Sequence, residues 1–327
     1  MRIVFTTYLP KEGFAGLEEH ELVIPHAPYF STEELQERIA DADILVSTFD
    51  YAVPAEILAR GARLRLVANF GVGFNNIDVA YCKAHGILVT NTPHTVTEPT
   101  AEHCFALMHT LAHRTAELDR KLRQKDPSIV FGVMNNLGVS LYGKQLGIIG
   151  MGRIGTALAR RALACGMKVA YHNRHKKVIH FSKGDERICE GSPKGEQIIY
   201  MSLDELLATS DYVSLNLPYT PEVHHLINRE TLKKMKPTAF LINTARGAHV
   251  DEAALAEALR TGVIAGAALD VYEHEPHISE ELLGLDNVVL SPHVGTGTID
   301  GRLDMCHEVE TNILHLIAGE HNLMNLV

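Results

Sequence analysis

Short apolar runs alternate along this chain with longer stretches in which apolar residues return every three or four positions, and the alternation predicts strands and helices in turn. RIVFTT, ADILVST and RLRLVANFG read as strands, and STEELQERIADA reads as a helix. Asp78 can cap the helix VAYCKAHG, Gly86 can end it, and ILVTN follows as a strand. This first α/β unit closes near Pro93. From Glu98 to Arg123 the text EPTAEHCFALMHTLAHRTAELDRKLR keeps helical spacing, which predicts one long helix bridging two lobes.

A second series then runs through KQLGIIG, MKVAYHN, YVSLNLP, AFLINTA, AGAALDV and NVVLSP, with helices between most of these strands. Ser202 and Glu205 have capping-box spacing, and Asp251 can cap EAALAEALRTG, which Gly262 ends. Phe181 to Gln197, rich in Gly and charges with one Pro, predicts a surface excursion. The pattern is that of an α/β protein with mainly parallel sheets.

Composition narrows the picture. With 327 residues, 46% hydrophobic and 21% charged, the chain can bury a large core, and its length favours two domains. A formal net charge of −10 argues against a general nucleic-acid binder, which needs a broad basic face. No N-terminal apolar run is preceded by basic residues and followed by a small-residue cleavage site, and no apolar stretch is long enough to span a bilayer, so a cytoplasmic protein is expected. Five scattered cysteines (Cys82, Cys104, Cys165, Cys189, Cys306) suggest reduced, mostly buried thiols. Of the 19 histidines, His109 and His113 have the spacing of HExxH but lack its glutamate, and no metal site is expected.

The chemistry-bearing motifs lie at strand ends. Gly150-Met151-Gly152-Arg153-Ile154-Gly155 follows the strand LGII and opens a helix, the setting in which GxGxxG binds a dinucleotide pyrophosphate. The first glycine allows a tight turn, the second a close backbone approach to phosphate, and the third helix-on-strand packing. Roughly 20 residues on, where an NAD site offers a carboxylate to the ribose, this chain has His172-Asn173-Arg174. A neutral amide and a forked guanidinium suit the 2′-phosphate of NADP(H); the other reading is a solvated basic loop. Arg246 in INTARG, Glu275 in LDVYEHEP and His293 in LSPHVGTG each follow a strand, so the three can converge beyond the carboxyl edge of one sheet.

NFGVGFNNID, NTPHTVTEPTAEH, GIIGMGRIGTALA, LNLPYTPEVHHLIN, INTARGAHVDEAAL, GAALDVYEHEP and LSPHVGTGT, in that order, resemble the D-isomer-specific 2-hydroxyacid dehydrogenases over nearly the whole chain. The resemblance implies two Rossmann-like, doubly wound domains. A cofactor domain, 99–291, would be inserted into a split, flavodoxin-like substrate domain, 1–98 and 292–327. It places the catalytic arginine, glutamate and acid/base histidine on Arg246, Glu275 and His293. Val72 and Gly73 would present N–H groups to the substrate carboxylate, and Asp270 would hold the nicotinamide carboxamide. Arg153 and Ile154 match the phosphate loop, while Pro218 and Thr244 would line the cofactor cleft. Asn216 departs from the histidine of many members, and the chain has no Trp.

On these roles Arg246 binds a 2-oxo acid and polarises its carbonyl, and His293, oriented by Glu275, supplies the proton. A formate dehydrogenase would have Gln at Glu275, and a phosphite dehydrogenase a Lys in the NFGVG segment. NADP(H) over NAD(H) together with SPHVGTGT resembles the glyoxylate/hydroxypyruvate reductase branch. Phe49, Tyr51 and Phe74 leave open an aromatic 2-oxo acid of the hydroxyphenylpyruvate type, and some relatives of the fold act as cofactor-sensing corepressors. The family likeness also implies a homodimer through the cofactor domain.

Overall fold

The computed structural model describes residues 1–177, 179 and 198–327. The surface excursion expected over Phe181–Gln197, Cys189 included, lies outside the described residues. The chain divides into two compact units, Met1–Pro99 with Thr296–Val327, and Thr100–Gly295.

The first unit is a five-stranded parallel sheet of β1 (Arg2–Phe5), β2 (Glu21–Val23), β3 (Ile44–Thr48), β4 (Leu66–Phe70) and β5 (Leu88–Thr90), in the order β2-β1-β3-β4-β5. This is the flavodoxin-like order. Successive side chains serve opposite faces: Ile3, Phe5, Ile44 and Val46 enter one apolar cluster, Val4 and Leu45 the other. The helix Thr32–Ile39 starts at a full capping box between Ser31 and Glu34 and buries Leu35 and Ile39, one helical turn apart. Asp78 caps the helix Val79–Ala84 by accepting from the Tyr81 N–H at 2.8 Å, and Gly86 follows it at φ 70°. The C-terminal helix Ile299–Ala318 covers one face with Met305, Cys306, Val309, Ile313 and Leu316. It lies so close to Gly13 that a Cβ there would stand 2.3 Å from that of Cys306.

The second unit is a seven-stranded parallel sheet. Its strands are β6 (Gln145–Ile149), β7 (Lys168–His172), β8 (Ile198–Tyr200), β9 (Tyr212–Leu215), β10 (Phe240–Asn243), β11 (Gly266–Leu269) and β12 (Val288–Leu290). They lie in the order β12-β11-β10-β9-β6-β7-β8. The chain works outward from β6 through β7 to β8, then returns to β9 and works outward the other way. The order therefore reverses between β6 and β9, the switch point at which doubly wound sheets open a ligand crevice. Both domains are Rossmann-like, and the larger is covered on each face by a continuous apolar cluster.

Two expectations are corrected. The single helix over 98–123 is two, Thr97–Ala112 and Thr115–Arg123, with Arg114 between them at φ 56°. The break is held by Arg114 itself, whose Nε and Nη2 donate to the two Glu117 carboxylate oxygens at 2.7 Å each, while Nη1 donates to the Leu137 carbonyl. Ser202 accepts from the Glu205 N–H, but the return bond of a capping box is not formed. β2 and β8 are three-residue edge strands that apolar periodicity does not signal. Cys82, Cys104 and Cys306 are buried, and Cys165 is exposed. No helix among the described residues is long and apolar enough to cross a membrane.

Candidate active site

The glycine turn occupies the switch point. Gly150 takes φ 100°, a backbone conformation that side chains strain, and a Cβ there would stand 2.5 Å from the Asn216 carbonyl oxygen. A Cβ on Gly155 would stand 2.4 Å from the Gly150 carbonyl, so the helix Arg153–Ala164 packs directly on the turn. Gly152, the N-cap of that helix, has nothing within 4 Å of its Cβ position and carries no side-chain cap. The first-turn N–H groups thus face an open space suited to an anion. Arg153 is exposed there, while Ile154 packs on the apolar cluster beneath.

Asn173, just beyond β7, accepts from the Met151 N–H at 2.7 Å and so ties the end of that strand to the turn. Its Nδ2 is buried without a hydrogen-bond partner, as is Oδ1 of Asn216 beyond β9. The buried Thr244 hydroxyl, beyond β10, has only the Cys104 thiol beside it. Buried polar atoms are rarely left unsatisfied, and these three follow β7, β9 and β10, on both sides of β6, along one carboxyl edge. They fit a polar, elongated ligand such as a dinucleotide. Arg174 is exposed and carries a charge interaction with Glu222. Pro218 lies in the loop after β9, its carbonyl beside the buried His249 ring.

Arg246, Glu275 and His293 do come together. Nδ1 of His293 lies 2.7 Å from Oε2 of Glu275; a carboxylate only accepts here, so Nδ1 carries the proton. The other Glu275 oxygen accepts from the Tyr272 N–H at 2.9 Å. Burial alone would raise the Glu275 carboxyl, but the His293 hydrogen bond and charge, the Tyr272 N–H and the Arg246 charge outweigh it and hold it below its ordinary value. Burial lowers the Arg246 guanidinium against the opposing pull of Glu275. A guanidinium keeps its proton through such a shift, so a cation stands beside the pair. Arg246 is placed by close packing at Gly247, where a Cβ would stand 1.9 Å from the Tyr272 carbonyl carbon.

His293 sits in a left-handed turn, φ 53°, held by Asp270. The Asp270 carbonyl accepts from the His293 N–H at 2.8 Å. Its side chain, only 1% exposed, accepts from the N–H groups of Val294 at 2.9 Å and Gly295 at 2.8 Å, and from the Ser291 hydroxyl at 2.6 Å. His103 stands 3.3 Å away and 3.0 Å from the same hydroxyl. Burial would raise the Asp270 carboxyl, but these partners keep it below its ordinary value. His103 and Ser291 escaped the sequence reading although both lie inside the quoted motifs TAEH and LSPH; neither motif says that the two meet.

In the first unit, the loop after β4 is pinned by its carbonyls. Asn69 Nδ2 donates to Gly71 and Gly73 at 3.0 and 2.9 Å, and Asn91 Nδ2 donates to Val72 at 2.9 Å. The N–H groups of Val72 and Gly73 donate to none of the described residues. Phe49 lies under the Arg302 guanidinium, and the Tyr51 hydroxyl donates to the Phe30 carbonyl, so of the three aromatic candidates Phe74 alone is counted as exposed.

A doubly wound sheet with a glycine turn at its switch point and an Arg–Glu–His corner at the same edge defines a nicotinamide-dependent oxidoreductase. The family model described as "D-isomer specific 2-hydroxyacid dehydrogenase, NAD binding domain" matches residues 105–295. A glyoxylate reductase of Thermococcus onnurineus is 40% identical over 325 residues, 98% of this chain and 93% of that protein. Among solved structures, the TT0316 protein of Thermus thermophilus superposes with a TM-score of 0.88 at 37% identity, covering all of both chains. An NADPH-dependent glyoxylate/hydroxypyruvate reductase of Sinorhizobium meliloti, solved with NADP and malonate, gives 0.84 at 30% identity, over 100% of this chain and 96% of that one. The chain belongs to the D-isomer-specific 2-hydroxyacid dehydrogenase family. It is an NAD(P)-dependent oxidoreductase of 2-oxo and 2-hydroxy acids.

Proposed function

We propose that this enzyme reduces glyoxylate and hydroxypyruvate to their 2-hydroxy acids with NADPH, in the cytoplasm. The hydrogen bond between His293 and Glu275, with the Arg246 cation beside it, carries the reading. When bound, the reduced nicotinamide supplies the hydride. Arg246 holds the 2-oxo acid through its forked guanidinium and draws electron density toward the carbonyl oxygen. His293 gives that oxygen its proton from Nε2, while Glu275 keeps Nδ1–H in place and balances the charge of the imidazolium. The N–H groups of Val72 and Gly73 bind the substrate carboxylate. In the reverse direction His293 is the base.

For the cofactor, Gly150, Gly152, Arg153, Ile154 and Gly155 take the pyrophosphate, and Pro218, Thr244 and Asp270 border the rest. Preference for NADPH follows from Asn173 and Arg174, which offer an amide and a guanidinium where a ribose-binding carboxylate would repel a 2′-phosphate. The likeness to an NADPH-dependent reductase supports this. A homodimer through the second unit is supported by the segment after the helix Thr115–Arg123, where Phe131 and Val133 are 90% and 93% exposed.

The deciding experiment compares kcat/KM for glyoxylate, hydroxypyruvate and hydroxyphenylpyruvate, each with NADPH and NADH. The two small acids with NADPH should give the highest values. A higher value for the aromatic acid would overturn the substrate assignment, and Arg174→Ala with an unchanged NADPH preference would overturn the cofactor assignment.

A further inference from the structure

The loops after β9 and β11 bring together side chains that the reaction above does not use. His224, His225 and Glu273 each offer one ligand atom, and the three atoms lie within 4.8 Å of one another. Two imidazoles and one carboxylate are a donor set of zinc sites, in which each ligand atom stands about 2.0–2.2 Å from the metal and a water fills the fourth position.

The backbone beneath them is fixed from both sides. His225 holds φ 49°, its N–H donates to the Ala248 carbonyl at 2.9 Å, and its own carbonyl accepts from Asn228 Nδ2 at 2.9 Å. The Glu273 N–H donates to the Glu252 carboxylate at 2.7 Å. Tight packing of Gly247 on Tyr272 and Glu273 locks the intervening segment to the same loop. Donors carried on backbone held in this way need little ordering when a ligand arrives. Tyr219 lies beside the cluster, its hydroxyl 3.4 Å from Nδ1 of His224.

We propose that His224, His225 and Glu273 form a binding site for a zinc-class divalent cation. Nε2 of His225 and Oε1 of Glu273 are hydrogen-bonded to each other. The metal takes the place of the hydrogen between them, so this bond breaks, two metal–ligand bonds replace it, and the ring binds as a neutral imidazole with its hydrogen carried on Nδ1. The imidazoles of His224 and His225 stack at 3.9 Å. A metal lies near the plane of each ring that binds it, and stacked planes do not meet at their nitrogens. The exposed His224 therefore turns to complete the site, with water as fourth ligand. Imidazole donors select zinc, nickel or copper over magnesium and calcium, which prefer all-oxygen shells. A bound ion would tie the segment two residues before Glu275 to the loop that follows β9.

The test needs no turnover and so stands apart from the proposed reaction. The full-length protein, freed of metal by EDTA and dialysed, is titrated with Zn2+ by calorimetry and with Co2+ by visible absorption. Binding at one ion per chain is expected, with the ligand-field bands of four-coordinate cobalt. His224→Ala and Glu273→Gln, each with an unchanged thermal unfolding midpoint, should bind Zn2+ at least about tenfold more weakly. Should either variant unfold early, His224→Gln serves in its place, since that residue is exposed. Zn2+ affinity unchanged in these variants would assign the ion to other histidines and overturn the proposal. So would an absence of the cobalt bands, or displacement of Zn2+ by an equal concentration of Mg2+.

Discussion

Two turns at the carboxyl edge of the larger sheet are built in opposite ways. The turn at Gly150 is shaped by what it lacks: side chains at Gly150 or Gly155 would collide with backbone about 2.5 Å away. The turn at His293 is shaped by what it holds, a buried carboxylate that gathers two N–H groups and a hydroxyl, and a second carboxylate that orients the ring. The first should tolerate no added atom and the second no removed one. Both keep a residue at positive φ, but only the first uses glycine to do so.

The largest effect should come from the group proposed to give the substrate its proton. His293→Ala is expected to lower kcat by about 10³-fold, within the usual range for a lost general acid, while the dissociation constant for NADPH stays the same. Fluorescence titration of the cofactor beside steady-state kinetics separates the two. A matching loss in cofactor affinity would mean that the His293 turn and the glycine turn are not independent.

Gly150→Ala tests the other turn. The positive φ costs about 1–2 kcal/mol once a Cβ is present, and forcing that Cβ against the Asn216 carbonyl adds about 1–3 kcal/mol. Urea unfolding should therefore show a loss of about 3 kcal/mol together with weaker NADPH binding. Stability within about 0.5 kcal/mol of wild type would show that the strand-to-helix approach is slack.

How far each turn was legible in the sequence follows from the same contrast. The glycine turn is local: strand, three glycines and helix occupy consecutive positions, and Asp78, Ser31 and Asp251 cap their helices across three residues. The His293 turn depends on residues far apart in the chain, and His103 meets Ser291 across 188 positions. Spacing placed Arg246, Glu275 and His293 after strands of one sheet, and the structure brings them together. It could not show which side chains hold His293, because that depends on strand order. The break at Arg114 was hidden for a related reason. Apolar spacing continues through it, and what stops the helix is a left-handed arginine that reaches one carboxylate ahead and one carbonyl in the segment beyond.

Acidification should separate the turns further. The Asp270 carboxyl lies below its ordinary value in the folded protein, so it contributes stability that is fully present above the ordinary carboxylate range. That contribution is lost as pH falls through the folded-state value. Asp270→Asn should cost about 2 kcal/mol at neutral pH, the scale of buried hydrogen bonds to a charge, and the gap from wild type should narrow steadily below about pH 4. Gly150→Ala titrates nothing and should keep a constant gap over the same range. Parallel curves for Asp270→Asn and wild type would show that the carboxylate charge does not hold the turn.

Ser291→Ala carries the smallest effect and makes the finest distinction. The serine hydroxyl donates to Asp270 at 2.6 Å and stands 3.0 Å from His103, so it serves the carboxylate and not the reacting atoms. Removing it leaves Asp270 with two N–H donors and His103, and the loss should be about 1 kcal/mol. If the turn is rigid, that loss appears in the urea midpoint and kcat changes less than about twofold. If the hydroxyl positions His293, kcat falls about fivefold while KM for the 2-oxo acid holds, since about 1 kcal/mol in the transition state is worth that factor. The second result is expected, because the His293 N–H and those of the next two residues all end on Asp270. A carboxylate that shifts when one donor is removed shifts the whole turn with it.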